Sequence, residues 1–452
     1  MRALMSSGLT WRAWRAIAAL FLLGASVMVQ AEPVGQVEFS RGVGFAQTPG
    51  QLPRTLSKGT ALLEGDRLTT AQDSAAIIKL VDGTRMTLRP NSEMIMQKYQ
   101  FKEDAEDNAM VMQLLRGGFR AITGLISKDA PDAARIETAN ATVGIHGTDF
   151  DARLCAQDCK AESAKVSDAA RPNAIQASAK LISALGDISA IDSTGTKRKM
   201  VEGASVYPGD TVQTGAVTKG VLVFRDESRI TLGANTRFKV DAFVFDDKNP
   251  NEGRFFVSLV RGTARALTGL IGKGNNRNVG FTTDTATIGI RGTGLDLDCA
   301  SEGSCSFFTW LGTIVVTPKG QTALQTLQAG QGLFVSRTAI RPLTAPTLER
   351  LQRPDTVPVN VKQLFSSGGV SASDEGLFVY VRDGHVEVAS ANETLQLGRG
   401  ETGVAANDGR SGRPLDLPLF IQADPIPMPN SPNPTLLGLV AEIKKQSSNL
   451  CR

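Results

Sequence analysis

Short runs of alternating apolar and polar positions dominate the chain. Val221, Val223 and Arg225 interleave with Leu222 and Phe224. Ile230 and Leu232 interleave with Arg229 and Thr231, and Phe243 and Phe245 flank Val244. Earlier, Met86 and Leu88 interleave with Arg85, Thr87 and Arg89. A period of two is that of a strand with one buried face and one wet face. Asp82-Gly83 lies between two such runs and reads as a hairpin turn, and Asp226-Glu227-Ser228 holds the same place later as a weaker one. Gly376 to Val388 reads as another hairpin, turning at Asp383-Gly384, and Leu395 to Val404 follows it as further strand.

The pattern repeats. Gly65-Asp66-Arg67-Leu68-Thr69-Thr70 recurs as Gly209-Asp210-Thr211-Val212-Gln213-Thr214, and Leu88 to Ser92 recurs as Leu232 to Thr236, both 144 positions on. Arg116-Gly117 recurs as Arg261-Gly262, and Thr123 to Ile126 as Thr268 to Ile271, 145 positions on. Ala141 to Thr148 recurs at the same step as Ala286 to Thr293. A register that slips by one residue over a whole module is the mark of duplication. Within the last string, Gly144 and Gly147, like Gly289 and Gly292, sit among β-favouring residues and point to a bulge, a corner or a close backbone approach. Arg291 stands between the second pair of glycines, with His146 in its place in the first copy.

The organisation that follows is a leader at 1–31, a first module at 34–160 and a polar linker at 161–179. A second module at 180–337 and a Pro-rich connector at 338–373 come next. A β unit at 374–408 precedes a Pro-rich tail with a short helix, Leu436 to Ile443, within 409–452. The second module carries a strand-like tail, Phe307 to Val316 and Leu327 to Gly332, that the first lacks. The 374–408 unit is therefore read either as the displaced tail of the first module or as an independent piece. The expected fold is all-β, each module a sandwich or short β-roll, with a β-solenoid as the alternative.

Composition adds the compartment. Arg2, Arg12 and Arg15 precede an apolar run from Ile17 to Val29, and small residues at Val29-Gln30-Ala31 suit cleavage before Glu32. This is a secretory leader, shorter than the ~20 apolar residues a span needs, so no membrane span is expected after cleavage. The leader holds three of the four net positive charges, which leaves the mature chain near neutral and removes the case for nucleic acid. Five cysteines fit an oxidising compartment. Cys155 and Cys159 are disulfide candidates, as are Cys299 and Cys305, while Cys451 is left over as a free thiol or an intermolecular link. Two histidines and no zinc spacing argue against a metal, and no cofactor motif is present.

The chain resembles the FecR-domain family of exported proteins. The resemblance rests on the G-D-x-[LV]-x-T element at Gly65 and Gly209, the turn at Leu80-Val81-Asp82-Gly83-Thr84, the R-G…T-G element, and A-T-[VI]-G-I-R-G-T at 286–293. The first copy departs from that string at His146. Two copies at roughly 34–155 and 180–336 cover about 60% of the chain. The resemblance implies an extracytoplasmic β-domain, with Gly65, Asp66, Gly144, Gly147, Gly209, Asp210, Gly289, Arg291 and Gly292 in structural roles. In the family's namesake the protein passes an iron-siderophore signal to a cytoplasmic sigma factor. That role needs a cytoplasmic domain ahead of a membrane span, so it is not carried over here.

Chemistry finds little support. No nucleophile elbow, phosphate loop or H-E-x-x-H is present, and a hydrolase needs a base that two histidines scarcely supply. His146 is read as structural, and His385, beside the Asp383-Gly384 turn, as solvated. The turn acids Asp66, Asp82, Asp210 and Asp226 bond their own backbone on this reading. Asp149 and Asp151, like Asp296 and Asp298, are same-side acids read as solvated edge residues or a cation site. Arg116, Arg120, Arg261 and Arg265 recur in register as a candidate partner surface or as ion pairs with the recurrent acids. The expected function is non-catalytic binding or scaffolding in the periplasm, with an envelope protein or cell-wall glycan as partner. A signal-perceiving component and a cell-wall enzyme are the alternatives.

Overall fold

The computed structural model describes residues 32–431 apart from 104–106, 130–132, 174, 301–302, 347, 349, 366–368, 392 and 425. The leader, the Leu436 to Ile443 helix and Cys451 lie outside the described residues. Among the described residues no helix is long and apolar enough to cross a membrane.

Among the described residues the strands form two sheets of fifteen, and the same pairing scheme builds both. Gly35–Arg41 pairs with Ala75–Leu80 in the first, as Ala179–Leu185 pairs with Lys219–Phe224 in the second. The long strand Ala109–Ile122 shows how each sheet closes on its core. Its first half pairs with Glu93–Gln100 and lies parallel to Ala134–Glu137. Its second half pairs with Arg85–Leu88 and with Ala141–Cys155. Arg254–Leu267 does the same in the second sheet. A strand that changes neighbours halfway folds the sheet over itself, as in a β-roll. Nearly every ladder is antiparallel, which sets the fold apart from a solenoid of parallel coils. Each roll encloses one apolar core, and Phe119 and Phe150 meet edge-on in the first at 5.6 Å between centroids.

Two expectations about single strands are corrected. Lys219–Phe224 is wet only at Lys219: Leu222 and Phe224 enter the core, and Val221 and Val223 are buried as well. Local alternation cannot tell a face open to water from one covered by a distant segment. Gly376–Ser390 is one strand and not a hairpin, with a bulge at Asp383-Gly384. Gly384 (φ 87°) packs against Gly147 (φ 62°), and a Cβ on Gly384 would stand 2.6 Å from the Gly147 carbonyl oxygen. Gly312 and Gly292 repeat the arrangement in the second module.

That strand also places the tail. Gly376–Ser390 pairs along its whole length with Ala141–Cys155, and Thr394–Gly398, Thr402–Ala406 and Ser411–Gly412 complete the first sheet. Leu377, Val379, Val381, Val386 and Val388 belong to the first core. In the second sheet the matching strands, Ala286–Ala300 and Ser304–Pro318, form an ordinary hairpin with Cys299 opposite Cys305. The strands of the second sheet all come from the chain between Cys155 and Gly376, the two residues paired at the end of that ladder.

Candidate functional site

The repeated motifs build structure first. Gly65 and Gly209 have positive φ and release Asp66 and Asp210 into the interior. Asp66 accepts from the Leu63 amide at 2.8 Å, the Thr48 hydroxyl at 2.6 Å and the Arg54 guanidinium at 2.5 Å. Asp210 accepts from the Tyr207 amide at 2.8 Å and from Arg198. These acids thus reach an arginine two strands over in the sheet as well as their own backbone. The Asp82 turn bonds its own chain at Thr84, and the Thr84 hydroxyl accepts from the Gly124 amide at 2.9 Å. A side chain at Gly124 would run into the Asp82 carbonyl, which explains the T-G element. Gly144 and Gly289 are different: neither has a positive φ, and a Cβ would meet nothing nearer than 3.6 Å and 4.0 Å.

The recurrent arginines divide into two kinds. Arg120 is buried and donates to Asp151, its direct cross-strand partner, at 2.7 Å, and Arg265 donates to Asp296 in the same way at 2.8 Å. Neither forms a surface, and Asp151 and Asp296 are interior acids and not solvated edge residues. Burial pushes the Asp296 carboxyl up to about 6 against the pull of Arg265, and burial pushes Asp149 up to about 6 as well. Arg116 and Arg261 remain exposed, so the surface reading is left with these two. Arg116 lies 4.0 Å from Glu93, whereas Arg261 is paired in register with Arg237.

A strap of later chain covers each buried pair. In the second module Arg265 donates to the carbonyls of Leu348 at 3.0 Å and Leu351 at 2.6 Å, both in the Pro-rich connector. In the first, Arg120 donates to the Ile426 carbonyl at 3.1 Å and to Asp424 at 3.0 Å, while Arg89 meets the same Asp424 at 2.6 Å. The Pro-rich segments thus lie in contact with the sheets.

The modules meet around a buried polar cluster. Lys180, on the first strand of the second module, lies 3.6 Å from Glu401 of the first module's tail and donates to the Gln396 carbonyl. Arg413 donates to Glu401 at 3.1 Å and to the Gln396 carbonyl at 2.5 Å. Tyr207 donates to the Arg399 carbonyl at 3.2 Å, and the Arg399 guanidinium stacks on its ring, 4.5 Å from the centroid. Burial draws Lys180 down to about 8, which Glu401 only partly offsets. Burial alone would raise Glu401, but Lys180 and Arg413 outweigh it and hold its carboxyl low.

His385 lies at the edge of this cluster and is buried, not solvated, because it faces His146 directly across the two strands at 5.3 Å between ring centroids. Burial first, then His146 and Lys180, hold its pKa well below the usual value. Register alignment of the two copies would have exposed the cluster in the sequence. Lys180 stands where the first module has Gln36, and Glu401 where the second has Gln331.

Cys155 and Cys159 form one disulfide, and Cys299 and Cys305 form another. The first fastens the helix Gln157–Ser163 to the end of its strand, where the chain leaves the first module. Among the described residues no group of His, Cys, Asp and Glu is arranged to hold a metal.

No curated protein matches the chain. Two crystal structures of a candidate anti-sigma factor from Parabacteroides distasonis, at 2.50 and 1.65 Å, align over 29% of this chain and 58% of theirs. Each is 14% identical with a TM-score of 0.24. The family model described as "FecR protein" matches twice, at residues 66–168 and 210–314, on the two modules that share one pairing scheme. The chain is therefore a FecR-domain protein with two such domains along its length.

Proposed function

We propose that this is a non-catalytic binding or scaffolding protein of the periplasm, exported by the leader at 1–31. One observation carries the reading. The charged residues that recur between the modules and could have served chemistry, Asp66, Arg120, Asp151 and their counterparts Asp210, Arg265 and Asp296, are buried in ion pairs. Their role is to fix two rolls, and function then resides on the surfaces the rolls present. The two local disulfides fit an oxidising compartment. On this reading the first domain is discontinuous, 34–160 with 374–408, and the second domain is inserted in it with its own connectors.

The partner is an envelope protein or cell-wall glycan. In-cell crosslinking and pull-down from envelope fractions with the wall retained tests this. Enrichment of a defined protein or of wall material supports binding, and recovery of the bare chain alone would overturn it. Amino-terminal sequencing of the periplasmic form is expected to begin at Glu32.

A further inference from the structure

The chain has two histidines, and the fold brings them together. His146 on Ala141–Cys155 and His385 on Gly376–Ser390 are direct cross-strand partners, with ring centroids 5.3 Å apart. Along the same face Glu387 lies opposite Gly144, and Gln396 of the next strand lies opposite Glu387. At the same register the second module has Arg291 opposite Thr313 and Val315 opposite Gly289, with Thr326 opposite Val315. The first module so gathers two imidazoles and a carboxylate where the second has a guanidinium, a hydroxyl and an alkyl group. Imidazole is the side chain that suits zinc and copper.

The surroundings suit a ligand. His385 is buried, and neither of its ring nitrogens has a hydrogen-bond partner within bonding distance. The Gln396 amide beside it donates to Glu387 from Nε2 at 2.8 Å, and its buried Oε1 also lacks a partner. A neutral imidazole owns one N–H and one lone pair. With the N–H directed to Gln396 Oε1, the other nitrogen is left to a ligand, which is how a metal-bound histidine meets its outer-shell acceptor. Gly144 leaves space at the pair: a Cβ there would meet nothing nearer than Glu387 Cβ at 3.6 Å and His146 Nε2 at 3.8 Å. Lys180 and Arg413, the cations that act on His385 from the junction, are both paired with Glu401. An imidazole nitrogen binds zinc at about 2.0–2.1 Å, which puts the ion about 3.2 Å from the ring centroid. Rings 5.3 Å apart then subtend about 110° at the ion, close to the tetrahedral angle.

We propose that His146 and His385 form a cross-strand binding site for a divalent transition cation of the zinc and copper class, with water completing its shell. No third ligand side chain is assembled with them among the described residues, so the site is an open one, unlike a closed four-ligand structural site. Glu387 acts through Gln396 as a positioning residue. The second module, with Arg291 and Thr313 at these places, has no equivalent. The proposal goes beyond the reading of the chain as a binding protein and does not depend on it.

The test is isothermal titration calorimetry on the tag-free mature chain carrying Cys451→Ser, which removes the thiol as a competing ligand. Zn²⁺ is expected to bind once per chain with a Kd of roughly 10 µM or tighter, and Mg²⁺, which takes oxygen ligands, to show no binding at this site. His146→Arg installs the second module's residue at a half-buried position and is expected to weaken Zn²⁺ binding at least about tenfold. Should that variant fail to fold, NMR of the parent chain labelled at histidine reads the site directly, and both imidazole signals are expected to shift together as Zn²⁺ is added. Zn²⁺ binding that leaves either imidazole signal unmoved, or that survives His146→Arg in a folded chain, would place the ion on other groups and sink the proposal. Failure to bind Zn²⁺ below about 1 mM would sink it too.

Discussion

Arg265 and Asp296 lie opposite each other on adjacent strands, out of water and beneath a strap. Removing one member of such a pair strands a buried charge and costs about 3–5 kcal/mol, whereas replacing both with apolar groups is often close to neutral. Arg265→Leu is expected to lose stability in that range in urea titrations at pH 8, and Arg265→Leu with Asp296→Leu to recover most of it. The loss in the single variant is expected to be smaller at pH 5, because burial already holds Asp296 near 6 and a proton can then neutralise it. His385 supplies a second test at this scale. It is buried uncharged, and its folded pKa lies well below 6.5. The unfolded chain therefore takes up a proton first as pH falls, and stability is lost from pH 6.5 downward towards the folded pKa. His385→Thr, the residue of the second module at that register (Thr313), is expected to flatten the melting temperature between pH 6.5 and 5. An unchanged slope would remove His385 as its source.

Among elements, the paired bulges show which glycines matter. Gly384 and Gly312 have positive φ and lie against the opposing strand's backbone, so a Cβ meets both strain and collision. Gly312→Ala is expected to cost about 2 kcal/mol or more, and Gly289→Ala, in ordinary strand with open space, under about 1 kcal/mol. Thermal midpoints of the two variants compare them directly, and equal losses would refute the distinction. Gly289 and Gly292 look alike in the motif string, yet only Gly292 takes a positive φ, where it faces Gly312. The difference between them comes from the partner strand, more than two hundred residues away in the first module.

For the whole molecule the decisive feature is where the second module sits in the chain. Ala141–Cys155 takes its partner from Gly376–Ser390, and the first core takes Leu377, Val379, Val381, Val386 and Val388 with it. A fragment ending at residue 165 would leave that strand as a bare edge over an open core. It is expected to show no cooperative urea transition, whereas the full chain shows one. A cooperative transition in the fragment would contradict the discontinuous first domain. The junction belongs to this scale too, since Lys180 meets Glu401 and the Gln396 carbonyl, residues more than two hundred positions away.

Much was legible in the residues themselves. Alternation marked the strands, because a pleat alternates its faces whatever lies above them. The repeat marked two modules of one fold, and the turn acids and glycines marked their corners, because turn chemistry acts over two to four residues. Cysteine spacing marked both pairs as candidates, and the fold closes them. What tertiary structure alone decided depends on contacts between distant segments. It set the burial of Arg120 and Arg265, the straps over them, the facing pair His146 and His385, and the closed second face of Lys219–Phe224. It also made the Asp383-Gly384 site a bulge and not a turn, since a two-residue turn and a bulge share the same local sequence and differ only in what lies opposite.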